Sequence, residues 1–186
     1  MLKNLFNKND FSDIKTQGIK YAGSKLKIIT YILESIKDLK IKTVLDGFSG
    51  STRVSQAFAQ AGYDVTSNDI AHWSEVCATS FLLHDKDKEF YQKILDELNS
   101  LKGYNGWFTA HYGGDKNSGI KMPFQIKNTR KLDAIRDRIE ELTLSDIDKS
   151  VILTSLLFAL DSVDSTLGHF VSYLSKWLKG LIMIYF

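Results

Sequence analysis

The chain's most chemically suggestive stretch is Val44-Leu45-Asp46-Gly47-Phe48-Ser49-Gly50-Ser51-Thr52, with Asp69 further on. Gly47 and Gly50 let a backbone approach a ligand closely, because no Cβ intrudes and positive φ is allowed. An acidic side chain at the end of a second strand can accept hydrogen bonds from both hydroxyls of a ribose. Together these features suit an adenosine-containing ligand. A dinucleotide fits less well: its G-x-G-x-x-G fingerprint binds a pyrophosphate at a helix amino end. Here Ser49 stands at the second glycine of that spacing, and Asp46 directly precedes the loop. A fixed carboxylate there repels a pyrophosphate and pairs with a cation. S-adenosylmethionine, with its sulfonium and ammonium, has the matching sign. A plain reading stands beside this one, with Asp46-Gly47 only a turn and Asp69 only a helix cap.

A second constellation, Lys20-Tyr21-Ala22-Gly23-Ser24-Lys25, opens the helix ahead of the first strand. Helix amino ends attract anions through unpaired N–H groups and the dipole. With Lys25 as a charge and Tyr21 as a flat face, the segment could hold a ligand carboxylate against the Asp46 loop. Taken alone, it also reads as an ordinary capped helix start.

The elements that must position these residues follow from periodicity. With Ser24 as N-cap, Leu26, Ile28, Ile29, Ile32, Leu33, Ile36 and Leu39 put one apolar stripe on a helix. Residues 41–45 read as a short buried strand, stopped by Asp46-Gly47. A helix is expected over 51–60, with Gly62 as its left-handed cap, and then a strand over 63–68 ending at Asp69. Strand, glycine loop, helix, glycine, strand is a βαβ unit of parallel α/β type. Further helices are expected over 75–83, 89–101, 129–142 and 147–160, the last capped by Ser145 or Asp146. The stretch between Gly103 and Asn128 has the glycine, aromatic and polar texture of a functional or disordered loop.

Composition sets the bounds. The chain has 186 residues, 44% hydrophobic and 25% charged, with a net charge of +2. That is ordinary globular usage, and the charge neither demands nor excludes nucleic acid. The single cysteine, Cys77, permits no internal disulfide and no cysteine-rich zinc site, and it reads as a small buried hydrophobe. The four histidines are scattered without ligand spacing, so no metal is expected. Neither end resembles a signal peptide or a membrane span of about 20 residues, so no membrane partner and a cytoplasmic location are expected.

Tyr21-x-Gly23-Ser24-Lys25, an amphipathic helix, Leu45-Asp46-x-Phe48-x-Gly50-Ser51 and then Asn68-Asp69 together resemble the Dam-like adenine-specific DNA methyltransferases. Two later stretches, Asn128 to Glu140 and Asp161 to His169, are similar to segments of type IIS restriction-modification methylases. The likeness runs from about Tyr21 to Trp177. It implies an α/β fold, a partial Rossmann-like S-adenosylmethionine-dependent methyltransferase with a helical insertion. It also implies S-adenosylmethionine as cofactor, held by Tyr21, Lys25, Asp46, Phe48, Gly50 and Asp69, and double-stranded DNA as partner. The family loop usually reads Phe-x-Gly-x-Gly, whereas Thr52 stands at the second glycine here. Arg130, Arg136 and Arg138 read as a solvated helix face paired with Asp133, Asp137 and Glu140, or as phosphate contacts. Lys116, Lys121 and Lys127, with nearby aromatics, would suit a DNA-facing insertion.

The family's catalytic motif, Asp-Pro-Pro-Tyr or a Pro-Pro-aromatic relative, positions a flipped adenine. Pro123 is the only proline, so no Pro-Pro exists in this sequence. The expected organisation is one incomplete methyltransferase domain over 1–186. Residues 20–102 would bind cofactor, 103–177 would form a loop and helical part facing DNA, and 178–186 would be an atypical tail. One codon choice for that tail, with a single T restored after the Trp177 codon, reads Ser-Lys-Arg-Ala-Tyr-Asn-Asp-Leu-Phe, close to a family-like continuation. A frameshift is therefore expected there, and with it a polypeptide inactive by itself. Two alternatives remain: a non-catalytic subunit complementing a second methylase or restriction polypeptide, and a small-molecule methyltransferase, which the Tyr21–Lys25 segment disfavours.

Overall fold

The computed structural model describes residues 11–20, 23–115, 122–167, 172–174 and 176–186. The chain divides into two compact units, 1–84 and 85–186. Helices and two small parallel strand pairs make it a mixed α/β structure.

In the first unit a 3-10 turn, Leu26–Ile28, leads into α1 (Ile29–Ile36). Strand β1 (Thr43–Asp46), helix α2 (Arg53–Gln60) and strand β2 (Asp64–Ser67) follow, then α3 (His72–Leu83). The strands pair in parallel, Val44 opposite Val65 and Asp46 opposite Ser67. Gly62 takes φ +87 after α2, as a left-handed cap requires. The core gathers Phe11, Ile29, Leu33, Ala57, Phe58 and Tyr63, with Val44 and Val65 packed against it.

Three local expectations change. The helix cap is not Ser24: α1 starts at Ile29 with no side-chain cap, and Ser24 Oγ only accepts from Leu26 N at 3.4 Å. The expected stripe splits because Leu26 and Ile28 fall in the 3-10 turn, where three residues per turn move them off the buried face, to 52% and 48% exposure. Strand β1 is covered on one face only, so Leu45 is 67% exposed while Val44 packs inward. Alternation along a strand sends neighbours to opposite faces, and a second covering layer is needed to bury both.

The N-terminal segment lies along α2, held by side chains that pair with its backbone. Gln56 Nε2 donates to Gln17 O at 2.9 Å, and Gln17 N donates to Gln56 Oε1 at 2.9 Å. One turn on, Gln60 exchanges the same pair of bonds with Lys15, at 2.8 and 3.3 Å. Arg53 donates to Thr16 O and Gly18 O at 2.6 and 2.9 Å.

The second unit holds α4 (Lys88–Ser100), α5 (Trp107–Tyr112), α6 (Ile126–Glu141) and α7 (Asp146–Val163). The short strands β3 (Gly113–Gly114) and β4 (Phe124–Gln125) pair in parallel. Helix α5 lies inside the stretch read as a loop, and α6 starts before the expected Thr129. Its buried side includes Leu132, Ile135 and Ile139, which join Tyr91, Leu95, Leu98 and Ile152 in the core. Ser145 caps α7, accepting from Asp148 N at 3.1 Å.

The final residues belong to this core. Ile182 and Ile184 are fully buried, whereas Leu181 and Tyr185 are 48% and 68% exposed. Asn99 exchanges two hydrogen bonds with the backbone of Ile184, and Ile182 N donates to Asn128 Oδ1 at 3.1 Å. Side-chain amides thus pair with an extended backbone in this unit as Gln56 and Gln60 do in the first.

Asp133 does not pair with an arginine. It is buried and accepts from Gly106 N, Phe108 N, Thr109 N and Thr109 Oγ1 at 2.6–3.0 Å. Those N–H groups open α5, and a carboxylate satisfies donors the helix cannot. Arg136 does pair with Glu140 as expected, at 2.7 Å, and Arg138 pairs with Glu97 and Glu141.

Candidate functional site

The loop from Asp46 to Thr52 turns tightly at the carboxyl ends of the two parallel strands. Its backbone is fastened to β2: Asn68 N donates to Asp46 O at 2.9 Å, and Ser49 N to Asn68 O at 3.0 Å. Two residues are left-handed, Gly50 (φ +50) and Thr52 (φ +60). The second is a fully buried β-branched residue in a conformation that costs such side chains about 1–2 kcal/mol. Thr52 therefore makes a left-handed turn of the kind that glycine adopts without strain. Its Oγ1 accepts from Gln56 Nε2 at 3.1 Å, which offsets part of the strain.

Each candidate carboxylate is held by named partners. Asp46 Oδ2 accepts from Ser55 Oγ at 2.7 Å, and Ser67 Oγ lies 3.1 Å from the same hydroxyl. Asp69 Oδ2 accepts from Gly50 N at 2.8 Å, and Oδ1 from Ala71 N at 2.9 Å. The Asp69 carboxyl is therefore held below its ordinary range, first by the Ala71 N–H and then by the Gly50 N–H. Asp69 is more than a cap: it bridges the loop after β1 to the turn after β2. Ser74 donates to Gly50 O at 2.6 Å, which leaves Ser49 to donate to Ser74 across 3.0 Å.

Lys25, Asp46, Phe48, Gly50 and Asp69 line one cavity of about 290 Å³. Five of the six residues expected at the site therefore meet; the sixth, Tyr21, lies outside the described residues. Phe48 is 87% exposed at the cavity. A second cavity of about 570 Å³ shares Ser49 and Asp69 with the first and runs along Val65 to Asn68 against Ala78, Thr79, Leu82 and Leu83 of α3. Asp69 thus stands where the two cavities join.

Sequence reading missed Ser55, Ser74 and Arg53. The first two are serines on helix faces, with no spacing that marks them. Arg53, Gln56 and Gln60 do carry a signal, since gaps of three and four place them on one polar face of α2.

No described helix is long and apolar enough to cross a membrane. Among the described residues no group of histidine, cysteine, aspartate or glutamate side chains is arranged to hold a metal. Cys77 is buried at 3% exposure.

The chain is similar to modification methylase LlaI of Lactococcus lactis subsp. lactis, at 28% identity over 86% of this chain and 28% of the relative. It is 27% identical to modification methylase StsI of Streptococcus sanguinis, over 87% of this chain and 27% of that one. Type II methyltransferase M2.HphI of Haemophilus parahaemolyticus matches at 29% identity over 67% of this chain and 34% of its own length. The chain thus spans between a quarter and about a third of these relatives. No solved structure matches it. The family model of the D12 class N6 adenine-specific DNA methyltransferases matches residues 21–181, most of the sequence, and the chain belongs to that family.

Proposed function

We propose that the first unit binds S-adenosylmethionine, and that the chain is the cofactor-binding part of a restriction-modification DNA adenine-N6 methyltransferase with a partial Rossmann-like fold. The observation that carries this reading is the charge pattern of one cavity: Asp46 and Asp69, both held by fixed donors, with Lys25 and Arg53. A zwitterionic, sulfonium-bearing nucleoside presents the complementary set. Asp46 faces the cationic end, Asp69 takes the ribose hydroxyls, and the adjoining cavity along α3 takes the base. The donor set includes Arg53, which lines the cavity and whose Nε is buried without a partner. Bound there, the cofactor supplies a methyl group activated on sulfur.

The substrate in this reading is double-stranded DNA. Support comes from the second unit, where α5 exposes Trp107 (58%), stacked on His111 with ring centroids 4.5 Å apart. The exposed cations Lys127 and Arg130 lie at the start of α6. Aromatic faces and cations are the groups that stack on bases and contact phosphates. Lys116 and Lys121 lie outside the described residues. The sequence's one proline leaves the Pro-Pro-aromatic motif to be supplied by a continuing reading frame or by a second polypeptide, so this chain is a cofactor- and DNA-binding component without transfer activity of its own.

Calorimetric titration of the full chain with S-adenosylmethionine tests the cofactor reading. Micromolar binding is expected, weakened about tenfold or more by Asp69→Ala, since charge-assisted bonds contribute about 1.5–3 kcal/mol. No heat from a chain that melts cooperatively would overturn the reading.

A further inference from the structure

Arg53 lies just beyond the Leu45–Ser51 motif, and it is the most unusual charge in the first unit. It follows the left-handed Thr52 as the first residue of α2 and lines the 290 Å³ cavity with Lys25, Asp46 and Asp69. Its guanidinium has no carboxylate within ion-pair distance among the described residues, and burial lowers its affinity for its proton. It is held in place by neutral oxygens: Nη1 donates to Thr16 O at 2.6 Å and to Thr16 Oγ1 at 3.4 Å, and Nη2 donates to Gly18 O at 2.9 Å. A guanidinium carries five N–H donors. Three are engaged, and the Nε donor and one on Nη2 remain. Nε is buried and without a partner, which is costly for a polar group.

The surroundings keep that arrangement. A Cβ on Gly18 would come within 2.8 Å of Arg53 Nε, so only glycine lets the guanidinium lie against this backbone. Lys25 was the expected partner for a ligand carboxylate. It is exposed and precedes a three-residue 3-10 turn, and the head of α1 lies three residues further on, at Ile28. Arg53 instead is half-buried, positioned and uncompensated. A guanidinium that lines the cavity with no carboxylate of its own among the described residues suits the carboxylate of a ligand.

We propose that Arg53 binds the α-carboxylate of the cofactor's methionine end, opposite the Asp46 side of the same cavity's charge pattern. This rests on the reading of the first unit as an S-adenosylmethionine site. The three bonds to Thr16 and Gly18 give Arg53 a second role, tying the N-terminal segment that leads to Gly23–Lys25 to the start of α2.

The test compares two ligands on the full chain by calorimetry: S-adenosylmethionine and its decarboxylated analogue, which keeps the sulfonium, amine and nucleoside. The wild type is expected to favour the carboxylate-bearing ligand by about 10- to 100-fold, the range for charge-assisted bonds. Arg53→Gln should remove that preference: it loosens the same segment and so weakens the decarboxylated ligand about as much as Gln56→Ala does, but weakens S-adenosylmethionine by about 10- to 100-fold more. Arg53→Lys should retain part of it. Gln56→Ala, which loosens the same segment without touching the guanidinium, should weaken both ligands alike, and thermal melts establish that each variant is folded. If Arg53→Gln weakens both ligands equally, or neither, Arg53 is a structural tie and the assignment is wrong. Failure of the wild type to bind either ligand would instead remove the cofactor reading on which it rests.

Discussion

Asp69 joins two loops with one side chain, and its behaviour with pH follows from that. Its two N–H partners, Ala71 and Gly50, stabilise the ionised form and hold its carboxyl below the ordinary value. A carboxyl depressed in the folded state adds stability above its unfolded pKa of about 3.9, and that stability is lost as pH falls through the folded value. Asp69→Asn should therefore be less stable than wild type at pH 7, with the gap closing below about pH 4. Urea unfolding across pH 2.5–7 measures it, and a gap independent of pH would refute the explanation. Thr52 shows the same residue-level economy in another form. A left-handed threonine is strained, but its hydroxyl accepts from Gln56, so the residue that departs from the glycine pattern also helps hold the N-terminal segment.

Helix α2 links the two halves of the candidate site. Its start carries Ser55 to Asp46, and its polar face carries Arg53, Gln56 and Gln60 to the backbone of residues 15–18. That face was legible from spacing, but its target was not. A glutamine amide that exchanges two bonds with one peptide copies a β-ladder rung, and nothing in the sequence of an extended segment names the helix that will pair with it. Gln56→Ala removes both bonds to Gln17 and the bond to Thr52. The expected loss is about 1–3 kcal/mol of stability in denaturant titration, because the backbone groups of Gln17 lose fixed partners. No loss would mean that Phe11 and the bonds from Gln60 and Arg53 hold the segment without Gln56. In the second unit, Asp133 teaches the same lesson. Its spacing on α6 suggested an exposed ion pair, and the structure uses it to open another helix.

The two units divide the chemistry. The first contains every described residue of the candidate cofactor cavity, and the second contains the larger core, closed by Ile182 and Ile184. Since the chain spans about a quarter of two of its relatives, methyl transfer is a property to be assayed on this polypeptide. The full chain, incubated with labelled S-adenosylmethionine and duplex DNA, should transfer no methyl above background. Adding a polypeptide that carries a Pro-Pro-aromatic motif from the same locus should restore transfer to adenine N6. Transfer by the chain alone would overturn the proposed division of labour.

The sequence by itself determined the family, the βαβ order, the glycine after α2 and the meeting of Lys25, Asp46, Phe48, Gly50 and Asp69. Each is encoded locally: strand ends place Asp46 and Asp69, and parallel pairing in register brings those ends together. Tertiary structure alone decided which polar groups fasten the loop, why Leu45 is exposed, and that α5 forms on the carboxylate of Asp133. Those outcomes depend on partners distant in sequence, such as Gly50 with Ser74 or Phe108 with Asp133. Periodicity reports which face of an element is apolar, but a hydrogen bond between distant residues exists only once packing has brought donor and acceptor within reach.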